Sequence, residues 1–179
     1  MIFSETQRFR QPWLWVMFGL LWVSFTGIFV YGIYRQVIHH IPFGSNPMSD
    51  TGLMITSIAT WILLTAILML FLTARLDTRI DREGIHYRFF PIHKNERHIA
   101  WKNISYIRIV SYHPIRQFGG WGIRYGKDGV AFNVAGKRGL VITRRGGERI
   151  LIGTQKANEL KVVLSHLSPL PTGNGNENT

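Results

Sequence analysis

Cysteine is absent from the 179-residue chain. Without thiols the protein has no disulfide, no thiolate metal site, no iron–sulfur cluster and no cysteine nucleophile. The absence does not identify the compartment, because a cysteine-free chain suits reducing and oxidising sides of a membrane equally. Any functional site must therefore be built from other side chains.

Charged side chains are absent from two long runs near the start of the chain. No Asp, Glu, Lys or Arg occurs in the 24 residues between Arg10 and Arg35, or in the 24 between Asp50 and Arg75. As an α-helix, each run would be roughly 36 Å long, enough to cross a hydrocarbon core of about 30 Å. The runs predict a transmembrane hairpin with helices over residues 13–34 and 53–74, joined by a short extracytoplasmic loop over 35–52.

The lack of charge inside these helices also bears on function. Channels, pumps and proton relays use ionisable groups within the membrane, and neither run contains one. The first run is longer than the apolar region of a signal peptide and has no A-x-A-like cleavage site near its end. We therefore expect a retained hairpin that serves as an anchor, with a dimerisation surface as a further role.

Acidic residues are few: 10 Asp and Glu face 21 Lys and Arg, which gives a formal net charge of +11. The excess lies from Arg75 onward, where 18 Lys and Arg face 8 Asp and Glu. The flank over residues 1–12 carries Arg8 and Arg10, whereas the predicted loop carries only Arg35. Because basic residues are retained on the cytoplasmic side, both termini are predicted to be cytoplasmic, at the cell (inner or plasma) membrane.

From residue 75 the hydrophobic period changes to two, which is typical of half-buried antiparallel strands. Glycine-containing turns separate the apolar runs, as tight hairpins require. Leu160, Val163 and Leu164 then form one apolar stripe at helical spacing. The pattern predicts a β domain over residues 75–168 with one C-terminal helix, and a disordered tail over 169–179.

Four segments carry a resemblance to a known family: residues 76–81 with the following Gly84, and residues 100–104, 119–126 and 152–155. In these segments and in its order of elements, the chain resembles the bacterial PH-like (pleckstrin-homology-like) membrane proteins. The resemblance implies a membrane α + β protein, in which a two-helix hairpin precedes a PH-like antiparallel β-barrel or sandwich with one C-terminal helix. It implies an anchored scaffold or lipid-proximal module and supplies no catalytic residues.

Catalytic and metal-binding motifs are absent as well. The seven histidines show no H-E-x-x-H or similar spacing, and the glycine-rich stretches match no nucleotide-binding loop. Asp77 and Asp81 lie on one face of a predicted strand, but Arg79 lies between them. This favours an ion-pair ladder, with acid–base catalysis by the pair as the weaker alternative. We predict no enzyme, no metal site and no cofactor.

Basic residues in the predicted turns are the main binding candidates. Each Lys or Arg facing an anionic leaflet contributes about 1 kcal/mol of attraction, although a solvated basic surface explains the same charges. One short strand joins Lys137 and Arg138 to Arg144 and Arg145, so we expect these pairs at opposite ends of it. The candidate lipid- or partner-binding residues are Arg116, Trp121, Arg124, Lys127, Lys137, Arg138, Arg144 and Arg145.

Trp121 has two interpretations. It follows Gly119 and Gly120, which indicates a loop that shapes a binding edge together with Arg116. Its alternation with Ile123 favours a core position instead.

These features predict a membrane-anchored, non-enzymatic binding or scaffold protein. Its cytoplasmic domain is expected to contact anionic lipid head groups or a membrane protein partner. The alternative is an assembly subunit that oligomerises through its helices and β domain without a lipid ligand. Nucleic acid is not an expected partner, because the aromatic residues alternate like core residues and no RNA-binding surface pattern occurs.

Overall fold

A computed structural model describes residues 2–126, 129–167 and 172–175. The chain divides into two compact units. The first, called the β unit, comprises the residues up to Phe9 together with those from Thr73 onward, and the second, called the helical unit, comprises residues 10–72. The helical unit is thus an insertion between the first strand of the β unit and the rest of it.

The helical unit contains the two predicted apolar helices. Helix α1 spans Pro12–Ile33 and continues as a π-helical turn over Tyr34–Ile38, and α2 spans Asp50–Thr73. Both are long and apolar enough to cross a membrane. The rings of Phe18 and Phe71, one from each helix, lie edge to face with centroids 5.0 Å apart, so the helices pack as an antiparallel pair.

A buried glutamine organises the connection between the helices. The Nε2 group of Gln36 donates hydrogen bonds to the Met48 carbonyl (2.7 Å) and to the Asp50 carboxylate (2.8 Å), and its Oε1 accepts one from the Phe43 backbone N–H (3.3 Å). These bonds satisfy the buried amide. They tie the end of the first helix to the start of the second.

The first sheet of the β unit has four antiparallel strands in the order β1–β2–β3–β4. They span Phe3–Arg8, Arg75–Ile80, Gly84–Phe90 and Arg97–Ala100. Strand β1 corrects the interpretation of residues 1–12 as a plain flank, because its backbone pairs with β2 from Phe3 opposite Ile80 to Arg8 opposite Arg75. The sequence hides this strand because two of its three buried positions are polar, Glu5 and Gln7.

The second sheet has six strands in the order β10–β5–β8–β9–β7–β6. The strands span Ile104–Ser111 (β5), Gly122–Gly126 (β6), Gly129–Asn133 (β7), Arg138–Arg144 (β8), Arg149–Gly153 (β9) and Thr172–Gly175 (β10). The pairs β7–β9 and β10–β5 are parallel, so this sheet is mixed where antiparallel pairing alone was predicted. Among the described strands the two sheets stay separate and do not close into a barrel.

Strand β10 falls within the tail that the composition predicts to be disordered. Its backbone pairs with the edge of β5, and such pairing needs no apolar side chains. Residues 168–171 and 176–179 lie outside the described residues.

The predicted C-terminal helix is present as α4, Ala157–Leu167. Its stripe of Leu160, Val163 and Leu164 is buried, as are the alternating side chains of the six-stranded sheet such as Leu140 and Ile142. Burial of each such side chain stabilises the fold by roughly 1.5–3 kcal/mol. The apolar stripe and the strand alternation therefore both supply buried core side chains, and α4 packs against β1.

A short helix that the sequence does not predict covers the opposite face of the six-stranded sheet. Helix α3 spans Pro114–Phe118 and ends at Gly119, whose φ of +70° suits glycine. Phe118 packs on a small apolar cluster made by Val110, Tyr112, Ala131, Leu151 and Val141. Arg116 lies on this helix, and Gly119 and Gly120 connect the helix to Trp121.

Candidate functional site

Strand register divides the predicted basic residues between the two ends of the six-stranded sheet. Arg138 pairs with Ser111 at one end of β8, and Arg144 pairs with Ile104 at the other. The prediction that these basic pairs lie at opposite ends is confirmed. Lys127 lies outside the described residues.

The first basic end carries Lys137 and Arg138, both exposed. The Arg138 guanidinium donates a hydrogen bond to the Asn158 side chain (3.2 Å), which links the turn to the start of α4. Its backbone carbonyl accepts a hydrogen bond from the Thr154 N–H (2.9 Å). The Lys137 carbonyl likewise accepts a hydrogen bond from the Tyr112 N–H (2.8 Å). Because the backbone of both residues is hydrogen-bonded, the two cations project from a well-defined turn.

The same end receives the N-terminal strand. Gln7 of β1 donates from Nε2 to the Gly153 carbonyl (2.6 Å), and Gly153 pairs with Gly139, the residue after Arg138. Glu5 accepts a hydrogen bond from the Thr154 hydroxyl (2.6 Å) and another from the Gln155 N–H (2.8 Å). The polar residues of β1 are therefore hydrogen-bonded to residues 153–155, which lead into α4.

The other basic end has its charge partly neutralised. The Arg144 guanidinium forms an ion pair with Glu148, and the Arg145 N–H donates to the Asn103 carbonyl (3.0 Å). These residues line a shallow pocket of about 220 Å³ together with Gly146. An acidic residue in the pocket makes this end the weaker candidate for anionic ligands.

Trp121 and its predicted neighbours form neither a closed site nor a fully buried core. Trp121 is half-buried, and its carbonyl accepts a hydrogen bond from the Arg124 guanidinium (3.1 Å). Arg116 on α3 is exposed. Tyr125, on the edge strand β6, is 83% exposed and offers an aromatic surface to solvent.

The predicted ion-pair ladder is present on the four-stranded sheet. Asp77 contacts Arg75 (3.3 Å) and Arg88 (2.8 Å) and accepts a hydrogen bond from the Thr6 hydroxyl (2.9 Å). Its partners are thus distinct from those of Asp81. The arrangement gives no support to a shared catalytic pair.

A cluster that the sequence analysis missed lies at the β2–β3 turn. Asp81, Glu83 and His86 bring one oxygen or nitrogen each to within 4.8 Å of one another, and we call these three residues the turn cluster. His86 is opposite Arg79 in β2 and opposite His98 in β4. The three residues of the turn cluster lie within six positions of the chain, but their ligand atoms come together only once the β2–β3 turn has closed.

Asp81 is held in the ionised form by its surroundings. Burial opposes the charge, but hydrogen bonds from the backbone N–H groups of Glu83 (2.9 Å) and Gly84 (3.3 Å) and the neighbouring His86 and Arg79 outweigh it. The net effect lowers the pKa of Asp81. Both hydrogen bonds go to Oδ1, which leaves Oδ2 facing His86 at 3.4 Å.

The chain matches neither a protein-family model nor a curated protein sequence.

Proposed function

We propose that the protein is an integral membrane protein, anchored by α1 and α2, with the β unit on the cytoplasmic side of the cell (inner or plasma) membrane. The observation that carries the proposal is the exposure of the helices. In each helix, only 6% of the apolar 18-residue stretch is buried within the protein. A helix of this hydropathy in a water-soluble core would be covered by other elements. Lipid is the medium that suits bare faces such as those of Leu20, Val23, Ile62 and Leu63.

The proposal extends to the β unit as a PH-like, non-enzymatic binding module. Its order of elements, strands followed by one amphipathic C-terminal helix with a buried stripe, supports the family resemblance. The ion-paired state of Asp77 supports the absence of a catalytic carboxylate pair. The module is proposed to contact anionic lipid head groups or an acidic surface of a membrane protein.

Within the module, the end with Lys137 and Arg138 is the proposed contact. Gln7, which bonds to Gly153 at this end, precedes the first helix by only a few residues. That short link carries two further cations, Arg8 and Arg10. A basic end tethered in this way needs no recruitment, so lipid contact would orient the module.

The test uses the full chain in lipid nanodiscs, since a fragment starting at Leu76 would lack β1. Ser111→Cys places a single spin label beside Arg138, and Gly146→Cys places one at the opposite end. The absence of native cysteine makes both labels unique. We expect the Ser111 label to approach the bilayer in anionic but not neutral lipid, and to withdraw as salt rises.

Charge reversal supplies the matched comparison. Lys137→Glu with Arg138→Glu removes about 2 kcal/mol of attraction and adds repulsion from two new carboxylates, so we expect the membrane-proximal population to fall at least about 30-fold. Arg144→Glu with Arg145→Glu changes the same charge at the other end and should leave the Ser111 label unaffected. A label depth independent of lipid charge and of both reversals would contradict the lipid contact.

The alternative, an assembly subunit, also has an observation in its favour. Strand β6 is an edge of the six-stranded sheet, and the nearly bare Tyr125 lies on it. Edge strands pair readily with a second chain. Spin–spin broadening of a Tyr125→Cys label in nanodiscs loaded with two copies would favour assembly, and its absence would favour the lipid-binding module.

A further inference from the structure

We propose that the turn cluster of Asp81, Glu83 and His86 binds a divalent transition-metal ion. The inference is independent of the proposed membrane function, since it concerns only the four-stranded sheet. Its ligand set is one imidazole nitrogen and two carboxylate oxygens. Such a set suits zinc and its neighbours, whereas an imidazole ligand disfavours magnesium and calcium.

The spacing of the ligand atoms fits a single ion. His86 Nε2 and Asp81 Oδ2 are 3.4 Å apart. Two ligands at about 2.0–2.1 Å from a tetrahedral zinc ion lie roughly 3.3 Å from each other. Glu83 has an exposed side chain and offers a carboxylate oxygen within 4.8 Å of one ligand atom of Asp81 and one of His86, so a small change of rotamer completes the set.

His86 is oriented as a metal ligand would be. Its side chain is 9% exposed, and its Nε2 atom has no hydrogen-bond partner although it faces the carboxylates. The other ring nitrogen, Nδ1, lies 3.5 Å from the Glu96 carboxylate. A histidine between a metal and a carboxylate is the common arrangement at metal sites, because the carboxylate fixes the tautomer and the ring orientation.

Packing fixes the ring further. The rings of His86 and His98 are stacked with centroids 4.3 Å apart and planes at 17°. Gly84 allows this close approach, since a Cβ there would lie 2.9 Å from His98 Nε2 and 2.2 Å from the Ile99 carbonyl oxygen. The imidazole is therefore held in place before any ion arrives.

Arg79 is the cation that competes for this position. Its guanidinium lies 3.6 Å from Asp81 Oδ2 and 3.6 Å from the Glu96 carboxylate. The side chain is 46% exposed and can swing into solvent without leaving a buried charge. A surface pocket of about 410 Å³ opens beside the two carboxylates, and an ion entering it must pass the second exposed cation, Arg82; the pocket is lined by Ile2, Arg79, Asp81, Arg82 and Glu83.

The ion would join the β2–β3 turn to the middle of β3. Two carboxylates and a neutral imidazole leave the bound dication without net charge. Three protein ligands leave one tetrahedral position to water. The role inferred is a metal-dependent brace of the four-stranded sheet.

The test is zinc titration of the full chain, purified in detergent without a histidine tag and stripped with a chelator. We expect one bound zinc ion per chain by calorimetry and elemental analysis, a rise in the Tm of the β unit on zinc addition, and no comparable response to magnesium. No zinc binding, or binding without any rise in Tm, would overturn the proposal.

Variants locate the ion. His86→Gln and Glu83→Gln should each weaken zinc binding about 100-fold or more, and Glu96→Gln, a positioning change, about 10- to 100-fold. Glu83 is exposed, so its variant keeps the fold even if His86→Gln does not. His39→Gln and His113→Gln are the matched controls and should bind zinc normally. Unchanged affinity in Glu83→Gln, or loss in the controls, would place the ion elsewhere and overturn the assignment.

Discussion

Tyr112 is buried in the small apolar cluster on one face of the six-stranded sheet, and its ring lies 6.0 Å from the ring of Phe118 in α3. Burial raises the pKa of Tyr112 to about 12, and the neighbouring Asn133 side chain only partly offsets this effect. In the unfolded chain the pKa of this group is near 10.0, the ordinary value for tyrosine. Between these values the unfolded state binds fewer protons, so the free energy of unfolding must fall as pH rises.

Tyr112→Phe should remove this alkaline loss. For pKa values of 10.0 unfolded and about 12 folded, the loss is about 2 kcal/mol at pH 12 relative to pH 9, and the variant should lack that part of the decline. Urea unfolding of the full chain in detergent at the two pH values measures it. Tyr106→Phe, on an exposed tyrosine, is the control and should decline like the parent. Identical declines in all three proteins would show that Tyr112 ionises freely in the fold.

Residue by residue, the sequence predicted the apolar contacts and the ion pairs around Asp77, and it missed the buried polar contacts. Leu160, Val163 and Leu164 form a stripe that needs only helical periodicity to be found. Glu5 and His86 are buried for reasons that periodicity cannot supply. Glu5 meets the Thr154 hydroxyl far along the chain, and His86 meets Asp81 only after the hairpin closes. Polar partners of this kind depend on the tertiary fold.

At the level of elements, β1 is the strand whose absence would cost most. Phe3, the first residue of β1, is 0% exposed, while Ile2, which precedes the strand, is 67% exposed. Phe3→Ala removes a fully buried ring and should lower the free energy of unfolding of the β unit by about 3–5 kcal/mol. Ile2→Ala, the matched control, should change it by less than about 0.5 kcal/mol. Urea titration monitored by circular dichroism compares the two.

Similar small losses in both variants would mean that β1 contributes little to the core. In that case, a fragment that starts at Leu76 and lacks β1 should fold and could replace the full chain in binding experiments. The strand escaped prediction because its alternation is F-S-E-T-Q-R, in which only one buried position is apolar. The hairpins around Gly84 and Gly129 were predictable from the sequence, because each turn has a glycine. Both glycines adopt a positive φ, which other residues rarely do. The parallel pairing of β7 with β9 was not, because it depends on β8 lying beyond β9.

At the scale of the whole molecule, the order of elements constrains topology. The strand before α1 and the strand after α2 are neighbours in one sheet. Both ends of the helical hairpin must therefore emerge on the same side of any membrane it crosses. Two spans satisfy this condition, and one span or three do not. Sheet pairing thus supports the even number of spans that the two uncharged runs predict.

The distribution of charge predicts the side of the membrane on which the β unit lies. Arg8, Arg10, Arg75 and Arg79 flank the helices next to the β unit, and only Arg35 lies in the connection. Basic residues are retained in the cytoplasm, so we expect Asn46→Cys, in the connection, to react with a membrane-impermeant maleimide on intact cells. Lys94→Cys, on the β unit, should react only after the membrane is permeabilised.

Both positions are exposed and the chain has no cysteine of its own, so each variant reports one site. Labelling of both from outside would show that the helices do not span. Labelling of Lys94→Cys alone would show that the hairpin spans in the opposite sense, with the basic flanks outside. Only the expected pattern is compatible with lipid contact by Lys137 and Arg138 at the cytoplasmic leaflet, where anionic head groups are concentrated. The topology measurement therefore decides whether the charge of the β unit faces a surface that it can bind.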